Sequence, residues 1–102
     1  MPAIPKNIAE FDDRRKKLYF QSSRRSMKEM DIIFTAFAMA VLAELTEAQL
    51  DEYERLLTMP DTDLLAWATG RAPVPNNERF ALLDRFIDFA VKGFARPDIS
   101  HL

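Results

Sequence analysis

Cysteine is absent from the chain, and histidine occurs once, as the penultimate residue His101. Disulfides, thiolate metal sites and cysteine nucleophiles are therefore excluded, and a histidine-centred triad or metal site is not expected. Glycine is scarce, at Gly70 and Gly93 only, so no glycine-rich phosphate loop can be built. The longest apolar run, 32–42, is bounded by Asp31 and Glu44 and is too short to span a bilayer. The first ten residues lack the apolar core of a secretory signal, and Glu10, Asp12 and Asp13 are wrong for a transit peptide. A cytoplasmic location is expected. No stretch alternates apolar and polar residues as a strand would, and no repeat is visible.

What is present is charge, unevenly placed. Residues 1–30 hold eight Lys/Arg against four acids, a net of +4, and the remainder carries −6. A basic end on an acidic body suits a polarised protein–protein surface. Nucleic acid would call for basic residues on several elements with aromatic stacking positions, a pattern the chain does not show. The organising stretch is 23–31, which sets Arg24, Arg25, Lys28, Glu29 and Asp31 directly before the apolar run. It is either a heavily reinforced helix start or a docking surface.

Helical spacing accounts for the rest of the chain. Residues 1–10, with Pro2 and Pro5, and 95–102, with Pro97, are expected to be tails flanking one domain over 11–94. Asp12 or Asp13 can cap a first helix. Ser26 and Glu29 form an S-x-x-E pattern, the signature of a capping box, at the head of a second helix over about residues 27–43. That helix is apolar nearly all round and is expected to lie at the centre. Thr46 and Gln49 repeat the pattern before a third helix, with Leu50, Tyr53, Leu56 and Leu57 inward and Glu47, Asp51 and Glu54 facing solvent. Pro60 ends it, and Asp61 or Thr62 caps a short fourth helix that closes at Gly70. Asn76 or Asn77 caps a fifth, with Phe80, Leu83, Ile87 and Phe94 on one face. The fold class is all-α, a small single-domain five-helix bundle around the second helix.

No catalytic constellation or metal-ligand spacing appears, so an enzyme is not expected. Local physics reads Arg25 and Glu29 as an i,i+4 ion pair with a cap. The basic run 14–17 is a solvated face or, with Arg24, Arg25 and Lys28, part of a basic docking patch.

The ordered combination of Lys17-Leu18-Tyr19-Phe20, the 23–31 segment, Leu45-Thr46-Glu47, Tyr53-Glu54-Arg55-Leu56-Leu57 and Asp61-Thr62-Asp63-Leu64-Leu65-Ala66-Trp67 resembles one family across residues 14–90. It is the succinate dehydrogenase assembly factors of the SdhE type, which promote covalent flavin attachment. The resemblance implies a helical chaperone, monomeric, that binds the flavoprotein subunit of succinate dehydrogenase or fumarate reductase. FAD would become attached to that partner, with none held stably by the factor itself. The family signature R-G-x-x-E falls on Arg25 to Glu29, with Ser26 where the family has glycine. Implied partner-binding residues are Arg24, Arg25, Ser26, Met27, Lys28, Glu29 and Asp31. The cap at Ser26 is expected to turn Arg25 and Glu29 outward, and the extra hydroxymethyl group would press on the dock. An antitoxin-type interaction module is the alternative function.

Overall fold

The computed structural model describes residues 11–94, so both expected tails lie outside the described residues. Within them the chain forms five α-helices and no strand: α1 (Asp13–Ser22), α2 (Lys28–Val41), α3 (Glu47–Leu57), α4 (Asp61–Ala68) and α5 (Ala81–Phe94). Short 3-10 turns occupy Leu42–Glu44 and Asn76–Glu78. The all-α expectation holds.

Local chemistry explains several boundaries. The Asp12 carboxylate accepts the Arg15 N–H at 2.8 Å and starts α1. At α3 the reciprocal box forms: the Gln49 N–H donates to the Thr46 hydroxyl and the Thr46 N–H to the Gln49 side chain, at 3.2 and 2.8 Å. After α4, Gly70 takes the left-handed conformation at φ 79°, and the Arg71 N–H returns to the Ala66 carbonyl at 2.9 Å. Two expected caps are displaced. Asn76 and Asn77 lie in the second 3-10 turn, ahead of α5, whose first turn instead donates the Leu82 N–H to the Glu52 carboxylate of α3 at 3.0 Å. Asp61 is the first residue of α4 rather than its cap, and the position before the helix is Pro60.

The core is aromatic. Phe34 and Phe37 of α2 meet Phe86 of α5 with centroids 4.5 and 5.1 Å apart, and Tyr53 of α3 packs against both α2 rings. Each ring is fully buried, a contribution of roughly 1.5–3 kcal/mol apiece from burial. Burying Tyr53 also buries its hydroxyl, which pairs with the Ser22 hydroxyl at 2.6 Å, while Ser22 donates to the Leu18 carbonyl. Desolvation pushes the Tyr53 phenol well above its ordinary pKa, so it stays neutral.

The centre is shared rather than held by α2 alone. α5 packs on α2, α3 and α4, and α2 packs on α1 and α5. One stripe of α2 is left uncovered: Ile32, Thr35, Ala36 and Met39 are half-buried and Ala40 is exposed. Ile32, Thr35 and Ala36, with Ser23 and Asp31, line a shallow depression of about 380 Å³ on that outer face. The helix is thus apolar beyond what the bundle itself covers.

Candidate partner-docking site

The segment before α2 is set by an acceptor from far along the chain. Arg25 turns inward, its side chain 11% exposed, and its Nε donates to Asp61 Oδ1 at 2.7 Å. Its two terminal nitrogens donate to the carbonyls of Leu57 and Met59 at 2.8 and 2.7 Å, which would otherwise be unpaired where α3 ends. The guanidinium also lies over the Phe34 ring, 4.6 Å from its centroid. One planar fork thereby joins the α1–α2 loop to the end of α3, the start of α4 and the core.

Asp61 answers with its second oxygen. Oδ2 accepts the Ser26 N–H at 3.1 Å, the Ser26 hydroxyl at 3.0 Å and the Met27 N–H at 3.2 Å. Burial pushes the Asp61 carboxyl up. The Arg25 guanidinium, the Ser26 hydroxyl and the Met27 N–H outweigh it and hold the group below the usual carboxylate range. Asp31, in the first turn of α2, completes the arrangement by accepting the Arg25 backbone N–H.

The capping box expected at Ser26 and Glu29 is not formed. The residue before α2 is Met27, whose own side chain makes no capping hydrogen bond. A charged acceptor makes stronger hydrogen bonds than a hydroxyl, so Asp61 takes the N–H groups of the turn and Ser26 becomes a donor to it. The Ser26 N–H that Glu29 would have accepted goes to Asp61 instead. The i,i+4 pair of Arg25 with Glu29 is absent for the same reason: Arg25 is committed inward.

Of the residues singled out in the sequence, Arg24, Ser26, Lys28 and Glu29 are exposed, Met27 and Asp31 are half-buried, and Arg25 is largely enclosed. Arg24, Lys28 and Glu29 make no ion pair among the described residues. Outward presentation therefore holds for Glu29 and not for Arg25. The Ser26 hydroxyl is turned onto Asp61, so the group expected to press on the dock is tied to the body of the protein. Asp61 is the residue that sequence reasoning missed as part of this segment. Its only local signal, an acid beside a helix start, had a sufficient explanation there.

The basic run divides as well. Arg14 crosses to the outer face of α3 and meets Glu47, Asp51 and Glu54 at 2.7, 2.5 and 3.1 Å. Arg15 is held by Asp12 and by the carbonyls of Leu42 and Leu45. Those two cations bind the bundle together; Lys17 remains exposed. The face of Glu47, Asp51 and Glu54 is exposed as expected, but it is also the seat of Arg14. Among the described residues no group of three or more acidic or histidine side chains is placed to hold a metal ion, and no helix is long and apolar enough to cross a membrane.

These features define a small all-α protein with a charged helix start braced from behind. The profile of the family described as "Flavinator of succinate dehydrogenase" matches residues 16–90, and the chain belongs to that family. It is similar to proteins called "Succinate dehydrogenase assembly factor 2, mitochondrial". The one from Dictyostelium discoideum is 42% identical over 72 residues, covering 71% of this chain and 51% of the relative. That from Scheffersomyces stipitis is 48% identical over 66 residues, covering 62% and 44%. That from Danio rerio is 35% identical over 80 residues, covering 76% and 51%. The chain thus spans about half the length of these relatives. All three are named as mitochondrial, which overturns the expectation of a cytoplasmic protein drawn from the absence of a leader pattern.

Proposed function

We propose that the protein is an assembly chaperone that binds the flavoprotein subunit of succinate dehydrogenase and promotes covalent attachment of FAD to it. The contact surface is the head of α2, with Arg24, Lys28 and Glu29 projecting, Ser26 and Met27 between them, and the uncovered stripe from Ile32 to Met39 alongside. One observation carries the proposal. In a chain that matches the flavinator family over 16–90, the signature glutamate Glu29 stands exposed and without an ionic partner among the described residues, on a segment held rigid from beneath.

The factor is not an enzyme on this view and holds no cofactor of its own. The partner's histidine and its flavin carry the bond formation. The factor acts as a monomer by binding more tightly to the form of the flavoprotein in which that bond forms, and so shifts the population toward it. The flavoprotein subunit of fumarate reductase is a second substrate of the same surface.

The test is co-expression of the flavoprotein subunit with the native chain, with Glu29→Ala, or alone, followed by flavin fluorescence of the denatured subunit. Covalent flavin is expected to fall about tenfold with Glu29→Ala, the effect of losing a central interface residue. Equal covalent flavin with and without the chain would refute the function.

A further inference from the structure

Asp61 has no part in the family signature, yet it accepts the two backbone N–H groups immediately before α2, those of Ser26 and Met27. We propose that Asp61 is the positioning residue of the docking surface: it fixes the turn of Ser26 and Met27, and thereby the direction in which Lys28 and Glu29 project, without itself contacting the partner. The inference rests on the assignment of the docking surface to the head of α2.

Four contacts support it. Asp61 Oδ1 fixes Arg25, and Oδ2 fixes the Ser26 N–H, the Ser26 hydroxyl and the Met27 N–H. Its side chain is 5% exposed, which leaves little of it for a partner to reach. The next residues along α2 are Lys28 and Glu29, both exposed. A carboxylate that holds the two N–H groups immediately before a helix sets where that helix begins. A start displaced by one residue turns each side chain by about 100° around the axis. Arg25, the first signature residue, acts by the same route. It is enclosed between Asp61, two carbonyls and the Phe34 ring, so its contribution to docking passes through the turn it braces.

Two measurements on the intact chain test this, with Asp61→Asn as the main variant and Asp61→Ala as the second. Amide hydrogen exchange reads the turn itself. In Asp61→Asn or Asp61→Ala, the Ser26 and Met27 amides are expected to lose protection while Phe34 and Phe37 amides in α2 keep theirs. Unchanged protection at Ser26 and Met27 would overturn the proposal, whatever the partner turns out to be. Binding to the purified flavoprotein subunit reads the consequence, under conditions where every variant is folded. Asp61→Asn is expected to weaken binding about tenfold, the scale of one lost hydrogen bond to a charged group. Adding Glu29→Ala to Asp61→Asn is expected to cost much less than Glu29→Ala alone, because the glutamate is already misdirected. Native affinity in Asp61→Asn, or losses that simply multiply in the double variant, would overturn it. If the native chain fails to bind the flavoprotein at all, the proposed function falls, while the exchange measurement still decides whether Asp61 sets the turn.

Discussion

Arg14 and Arg25 leave the same basic segment and come to opposite ends. Arg14 meets three carboxylates, but these are 74%, 74% and 54% exposed, and water and salt compete for every contact. Arg25 meets a single carboxylate, with both side chains nearly out of water at 11% and 5% exposure. The number of partners is a poor guide to which pair matters. In a buried pair each member is the other's only opposite charge, and removing one strands the other. Even the raised pKa of Arg14, driven first by its hydrogen bond to Asp51, has no consequence at ordinary pH, since an arginine is charged there in any case.

The largest difference is expected on deleting a buried partner. Asp61→Ala should lower the unfolding free energy by about 3–5 kcal/mol, read by urea denaturation. A loss near zero would place the buried pair with the surface network and dissolve the contrast. The same carboxylate gives the contrast a pH signature. Its folded pKa lies below the unfolded value of about 3.9, so its stabilising effect is complete above about pH 4. It is lost as pH falls through the lower, native value. Urea midpoints of the native chain should therefore decline more steeply below pH 4 than those of Asp61→Asn.

A smaller effect is expected from Arg25→Lys, about 2 kcal/mol by the same measurement. Lysine keeps the charge but cannot serve Asp61 and the carbonyls of Leu57 and Met59 with a fixed fork. The smallest belongs to Arg14→Ala. Its urea midpoint should sit just below the native one, and the gap should close in about 1 M salt, where the screening length is about 3 Å.

Two near-identical patterns show how far the fold and site were legible in the sequence. Thr46 with Gln49 and Ser26 with Glu29 both read as capping boxes. The first forms as written because all its donors and acceptors lie within one turn. The second yields to Asp61, 35 residues beyond Ser26, and a local pattern carries no information about an acceptor at that distance. The helix count, the end of α4 at Gly70 and the inward face of α3 are likewise short-range matters and were readable. The face of α5 was read only in part: Leu83 is buried as expected, but Leu82 and Phe86 enter the core with it while Phe80 and Ile87 are half-buried. The start of α5 was not, because Glu52 of α3 satisfies its first turn in place of Asn76 or Asn77. The head of α2 was recognisable as a segment of interest. The inward commitment of Arg25 was hidden, since an exposed and an enclosed arginine look the same in a sequence.

The joint between Arg25 and Asp61 closes a chain segment of 36 residues. Contacts so distant in sequence form only after the intervening chain has collapsed, because the closure entropy must first be overcome. A chain still emerging from the ribosome with α1 and α2 complete would carry every residue of the proposed docking edge but not the carboxylate that holds the Ser26 and Met27 N–H groups. The geometry proposed for docking therefore waits on the first residue of α4, and if that edge docks as proposed, binding would report that folding is finished.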